Sequence, residues 1–348
     1  MSKEMLIKDA NEALAQGFDI LQGTDEAWCK NKRPSSSWRE HSLSARQLQL
    51  RAYPPINYIV PGLIPEGLSL LVGRPKIGKS WLALDIALSI AGARICLGDR
   101  EPDAGDVLYC ALEDNERRLK NRISKLLAGS KAHWPEHLTL STNWRRLNAG
   151  GVNDIKEWAE SVAKPRLVLL DTLANVKPVN TQDGYAADYA ALTSVHRLAN
   201  DLGIAIVALH HQRKVDADDP LDTVSGTLGI VGCADTSLIL SSSKSGKSLY
   251  VRGRDIEEAE HAVEFDATNC RWRILGSAED VRRSETRRKI LAALAEHHDG
   301  MGPREIAEAT GLQESVVKVR LGDMVRDTEV IKRGRGHYHH PNYHPNAE

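Results

Sequence analysis

Leu68-Ser69-Leu70-Leu71-Val72-Gly73-Arg74-Pro75-Lys76-Ile77-Gly78-Lys79-Ser80-Trp81 carries a short apolar run into the pattern G-x-x-x-x-G-K-[ST]. Gly73 and Gly78 let the backbone curl so that its N–H groups surround phosphate oxygens. A helix beginning at Lys79 would add its positive end to the same anion. In this pattern the lysine reaches the β- and γ-phosphates and the following hydroxyl ligates Mg²⁺. ATP with Mg²⁺ is therefore the expected ligand. Gly73, Arg74, Pro75, Lys76, Ile77, Gly78, Lys79, Ser80 and Trp81 are expected to form the cradle, with Ser80 on the metal. A second Gly-Lys-Ser, at Gly246-Lys247-Ser248, lacks the first glycine because position 241 is Ser.

Short apolar runs predict strands at 68–72, 107–111, 138–141, 167–171, 204–209, 236–240, 249–254, 262–266 and 272–275. Amphipathic stretches predict helices at 79–91, 115–127, 152–162 and 186–201. Such alternation gives an α/β fold with a mostly parallel central sheet and helices on both faces. The last strands follow one another closely, which predicts an antiparallel end.

Three of these strands end in polar side chains. Leu167-Val168-Leu169-Leu170-Asp171 ends in a carboxylate suited to support Mg²⁺ or its water. Val107-Leu108-Tyr109-Cys110-Ala111-Leu112-Glu113-Asp114 ends in acids. Glu113 there suits a proton acceptor for an attacking water, while Asp114 or Asn115 suits a helix cap. Ile206-Val207-Ala208-Leu209-His210-His211 ends in two histidines, either a γ-phosphate sensor or a solvated pair.

Taken in order, these four strand ends resemble the RecA-like ATPases of the RepA type, the hexameric replicative helicases of plasmids and phages. DnaB and KaiC are more distant relatives of that group. The resemblance runs over about residues 53–275. It implies a RecA-like core, ATP hydrolysis and a homo-oligomeric ring, a hexamer. The implied partners are DNA, as single strand or origin duplex, and replication proteins. It makes Glu113 the catalytic glutamate, Asp171 the metal-supporting aspartate and His211 (or His210) the sensor. Arg122 falls at a functional arginine of that family. Val251-Arg252-Gly253-Arg254-Asp255 is similar to the basic-x-basic finger of DnaB-type motors, by which Arg252 and Arg254 would complete a neighbour's site. The alternative is an edge strand with solvated arginines. One loop departs from the pattern: 213–222 sets Arg213 and Lys214 against Asp216, Asp218, Asp219 and Asp222, a net of -2 that repels phosphates. It leaves a regulatory or loader ATPase open beside a DNA-threading motor.

Beyond Gly276 the composition shifts to three helical patterns, at 284–297, 303–310 and 314–327, and a Gly-rich stretch at 329–338. That order predicts a winged helix-turn-helix. Residues 282–335 hold twelve Lys or Arg against nine Asp or Glu. Lys318, Arg320 and Arg326 near the third helix, with Lys332, Arg333 and Arg335 in the wing, are the expected DNA contacts. A winged helix used for protein contacts is the competing reading. Residues 1–50 read as an arm or helical appendage, 51–278 as the ATPase domain, 282–340 as the winged helix and 341–348 as a flexible tail.

The bulk numbers set the outer limits. The chain has 348 residues, 41% hydrophobic and 27% charged, with a net charge of -1, so nucleic-acid binding must come from a local patch. Five scattered cysteines without a C-x-x-C pair fit a reducing cytoplasm rather than a zinc site or disulfide framework. No run is long enough to span a membrane, and the N-terminus lacks the apolar core of a signal peptide.

Overall fold

A computed structural model describes residues 42–128, 133–178, 184–213, 217, 219–225, 228–243, 246–297, 299–334 and 336–342. Residues 1–41, most of the expected arm, lie outside them, as do Lys214, Asp216, Asp218, Arg335 and His344. The chain divides into two units, 1–55 and 56–348. In the first, α1 (Ala45–Gln49) starts in a capping box, in which Ser44 and Gln47 each accept from the other's main-chain N–H.

In the second unit a hairpin, β1 (Tyr58–Val60) and β2 (Ile64–Pro65), precedes β3 (Gly67–Gly73) and α2 (Lys79–Ala91). Next come β4 (Asp106–Ala111), α3 (Glu116–Leu126), β5 (Leu138–Ser141), α4 (Gly151–Ser161) and β6 (Pro165–Asp171). They are followed by α5 (Leu173–Val176), α6 (Gly184–Leu202), β7 (Ala205–His211) and α7 (Leu228–Cys233). Four strands then run in succession: β8 (Thr236–Ser243), β9 (Gly246–Gly253), β10 (Ala259–Asp266) and β11 (Arg271–Ser277). The chain ends in α8 (Ala278–Glu296), α9 (Pro303–Thr310), α10 (Glu314–Arg326), β12 (Ile331–Arg333) and β13 (His337–His339).

The central sheet has the order β11-β10-β9-β8-β3-β7-β6-β4-β5. From β8 through β3 to β5 the pairing is parallel; β8 to β11 pair antiparallel. This is the expected α/β architecture, a mostly parallel central sheet with an antiparallel end. The parallel strands are covered on both faces, so their sequences read as unbroken apolar runs. Val107, Tyr109, Leu169, Val207 and Leu209 pack under α2 and α3, while Leu68, Leu70, Leu108, Val168 and Ile206 pack under α4 and α6. The antiparallel strands extend beyond their apolar centres. Ser241, Ser242 and Ser243 pair with Ser248, Lys247 and Gly246, so the second Gly-Lys-Ser is a strand, not a phosphate loop.

A third core forms among the last helices. Ile290, Ala293 and Leu294 of α8, Ile306 and Ala307 of α9, and Val317, Leu321 and Met324 of α10 close on Met301 and Val330. β12 and β13 make the wing. Helix α8 begins at Ala278, ahead of the expected start at 284, because Glu279 and Asp280 suit the positive N-terminal turn. Val316, next to buried Val317 on α10, is 40% exposed. No helix among the described residues is long and apolar enough to cross a membrane. The described cysteines, Cys96, Cys110, Cys233 and Cys270, are buried free thiols.

Candidate functional site

The loop between β3 and α2 is built around two backbone requirements. Gly78 has φ +110°, and a Cβ there would lie 2.9 Å from the Trp272 ring. A Cβ on Gly73 would lie 2.8 Å from the Leu240 carbonyl of the neighbouring strand. Trp272, nearly fully buried on β11, donates from its indole N–H to the Gly78 carbonyl at 3.2 Å. The antiparallel end of the sheet therefore braces the loop from behind.

Parallel strands put their C-terminal ends on one edge, and β3, β4, β6 and β7 bring their terminal side chains to the same cleft. It is about 420 Å³ in volume, within the range of small-molecule sites. Pro75, Lys76, Gly78, Lys79, Ser80 and Trp81 line one wall, facing Glu113, Arg122, Asp171, Thr172 and His211. The cradle residues Gly73 and Arg74 contribute main-chain carbonyls, to which Lys79 Nζ donates at 2.7 and 3.1 Å. Ile77 instead packs its side chain against the core under α2. Burial lowers the pKa of the Lys79 ammonium, and Asp171 and Glu113 partly offset that.

Asp171 is 3% exposed. Its Oδ2 accepts from the Tyr109 hydroxyl at 2.7 Å, and its buried Oδ1 makes no hydrogen bond. Burial pushes this carboxyl up; the Tyr109 hydroxyl, then a weaker pull from Ser80, hold it back. Glu113 is half exposed; its Oε1 accepts from Thr172 Oγ1 at 3.1 Å and lies 4.0 Å from His211 Nε2. Asn115 caps α3, its Oδ1 accepting from the Arg118 N–H at 2.9 Å. That leaves Asp114 to hold Arg118 at 3.1 Å and Arg122 at 2.5 Å. Arg122 also stacks over Trp81, 5.4 Å from the ring centroid.

Strand alternation separates the two histidines. His211 faces the cleft; His210 is buried on the opposite face, bonded through Nε2 to the Ser225 carbonyl at 2.7 Å. His210 therefore does not belong to the cleft. The sequence pattern alone does not single out Tyr109, Thr172 or Trp272. Thr172 directly follows Asp171, but Tyr109 and Trp272 read as core aromatics, and only pairing across strands reveals their polar ends.

The family described as AAA domain matches residues 34–217. The chain belongs to the AAA domain family. A second family, described as winged helix-turn-helix DNA-binding, matches residues 283–327. Among solved structures the chain is similar to an ATPase domain, at 15% identity over 70% of this chain and 100% of that one, with a TM-score of 0.49. It is similar to a DnaB-like replicative helicase at 15% identity, over 63% of this chain and 62% of that one, with a TM-score of 0.48. A KaiC-like protein from Pyrococcus horikoshii matches at 12% identity over 63% of this chain and 99% of that one, with a TM-score of 0.44.

The AAA domain match ends before β9, which carries Arg252 and leads into Arg254. Neither arginine lines the cleft of its own chain. Arg252, about half exposed, reaches Asp219 at 3.2 Å and Glu258 at 3.8 Å. Arg254 binds Asp235 at 3.4 Å and the Gly232 carbonyl at 3.0 Å. Asp235 is nearly buried and also takes the Leu68 N–H and His196 Nε2. Beyond the AAA domain, Lys318 pairs with Glu314, Arg326 with Asp323, and Lys332 lies over the Tyr338 ring. Arg320, 17% exposed and tied to Asp323, turns inward instead of presenting itself on α10. Arg333 is exposed in the wing, whereas Arg335 lies outside the described residues. His339 is buried in β13 against Gly300.

Proposed function

We propose that the chain is a Mg²⁺-dependent ATPase, ring-forming and acting on DNA in replication, resembling the RepA-type helicases. The observation that carries it is the convergence of Lys79, Ser80, Glu113, Asp171 and His211 on one cleft beside a glycine-braced loop. The donor set fits the ligand. A hydroxyl and a buried carboxylate oxygen without a hydrogen bond suit a hard divalent cation. Lys79, now bonded to loop carbonyls, would exchange them for phosphate oxygens. Ser80 and Asp171 would hold that cation, and its positive charge would offset the negative charge of the phosphates.

The residues then divide the work. Glu113, held by Thr172 and exposed to water, accepts the proton of the attacking water. His211 stands between Glu113 and the loop that follows β7, where the Ser225 N–H donates to the His211 carbonyl at 3.0 Å. Loss of the γ-phosphate would pass through His211 to that loop. Arg252 and Arg254 would serve a neighbouring subunit, residues 51–278 forming the ATPase domain. The winged helix, 282–340, would bring the ring to DNA through Lys318, Arg326, Lys332, Arg333 and Arg335.

A second reading, a regulatory or loader ATPase without unwinding, is favoured by the loop at 213–222. Its described carboxylates include Asp219, which holds Arg252 within the same chain. ATP turnover measured with and without single-stranded DNA, followed by strand displacement on a forked duplex, separates the two. Stimulation with unwinding supports the helicase; turnover without unwinding supports the loader. Absence of turnover with Mg²⁺ rejects both.

A further inference from the structure

We propose that Tyr109 is a positioning residue for the metal-supporting carboxylate: by donating to Oδ2 of Asp171 it turns Oδ1 toward the divalent cation. The inference rests on the Mg²⁺–ATP reading of the cleft and names a residue that neither the phosphate-loop pattern nor the strand ends assign.

The geometry comes from the sheet. β4 and β6 pair in parallel, with Tyr109 opposite Leu169 and Ala111 opposite Asp171. Tyr109 is thus one pleat behind Asp171 on the same face. A phenol spans that offset, where a shorter side chain would stop short. Tyr109 is wholly buried, and a buried phenol O–H needs an acceptor. It finds Asp171 Oδ2 at 2.7 Å.

A carboxylate has two equivalent oxygens and can turn about its Cβ–Cγ bond. With Oδ2 fixed, that freedom is lost. Oδ1 is left buried and without a hydrogen bond, on a side chain that lines the cleft beside Lys79 and Ser80. Leaving such an oxygen unpaired in a closed core is costly, and a cation at the cleft would relieve it. Hydrogen bonds to metal-bound carboxylates commonly carry about 10–100-fold in metal affinity.

The test is equilibrium binding of a fluorescent N-methylanthraniloyl derivative of ATP to the full chain, in Mg²⁺ and in EDTA. Tyr109→Phe keeps the ring and removes the donor. Its EDTA affinity should match wild type, while the gain conferred by Mg²⁺ should shrink about tenfold. Equal losses in both conditions would mark Tyr109 as packing only and overturn the inference; so would an unchanged Mg²⁺ gain.

Asp171→Asn tests the same idea with Tyr109 in place. The amide carbonyl must accept the Tyr109 proton, which turns the NH₂ group toward the cation. The Mg²⁺ gain should then fall below that of Asp171→Ala. A gain in Asp171→Asn larger than in Asp171→Ala overturns the orientation. A wild type that binds the probe in neither condition sinks the nucleotide reading and this inference together, whereas a normal wild type with an indifferent Tyr109→Phe sinks this inference alone.

Discussion

In the cleft, Lys79 is held by two main-chain carbonyls of its own loop, and Asp171 keeps one buried oxygen without a hydrogen bond. On and just after β9, Arg252 and Arg254 are instead each held by carboxylates of their own chain. Both regions border one sheet, yet the cleft leaves a buried carboxylate oxygen without a hydrogen bond while both arginines are ion-paired. The two arginines also differ from each other. Arg252 rests on exposed Asp219 and Glu258, contacts that water and salt weaken. Arg254 rests on nearly buried Asp235 and a main-chain carbonyl. Arg252 is therefore the more readily released of the two, and Arg254 the more firmly held where the chain leaves β9.

The largest expected effect tests that assignment. Arg252→Ala should lower ATP turnover by about 10³-fold, the low end for a lost arginine finger, with nucleotide affinity retained. Mixing it with Lys79→Ala protein should restore part of the turnover, because each variant supplies what the other lacks. A mixture no more active than its components would remove the finger from this chain. Glu113→Gln comes next. Turnover should fall by about 10²-fold while binding of the fluorescent nucleotide is kept. Retained turnover would move the proton acceptor elsewhere in the cleft.

A third prediction concerns the seam between the two regions. Asp85 on α2 is buried, 3.6 Å from Arg271 on β11. Burial raises its carboxyl to about 6, with Arg271 and then Arg94 pulling it back. The folded chain thus takes up this proton more readily than the unfolded chain. Stability from this group is greatest below about pH 4, falls as pH rises toward 6, and is flat above. A displacement of that size corresponds to about 3 kcal/mol. Asp85→Asn should therefore be more stable than wild type at pH 8 by up to that amount, and no more stable at pH 4. Denaturant midpoints at the two pH values check it, and a difference independent of pH would exonerate Asp85. The smallest effect is Arg254→Ala, expected to destabilise by about 1 kcal/mol, since Arg254 is more than half exposed and Asp235 keeps two other donors. Arg252→Ala should stay closer to wild type in the same melt; equal losses would erase the distinction between the arginines.

Residue order alone makes the α/β succession, the parallel core and the phosphate loop legible. Apolar runs buried on both sheet faces have no polar alternation to mislead, and G-x-x-x-x-G-K-[ST] ties backbone geometry to residue type over eight positions. It also placed Glu113 and Asp171, because parallel strands deliver their C-terminal ends to one edge whatever the loops do. The fold distinguishes His210 from His211, since one residue's step along a strand reverses the face and both are locally equal. Only it put Trp272 behind Gly78 and Tyr109 on Asp171, contacts that span 194 and 62 residues of chain. The pairing of Arg254 with Asp235 and the inward turn of Arg320 likewise depend on which strands and helices become neighbours. Local sequence specifies which groups can donate and accept; the partner each one finds is set by packing between elements far apart in the chain.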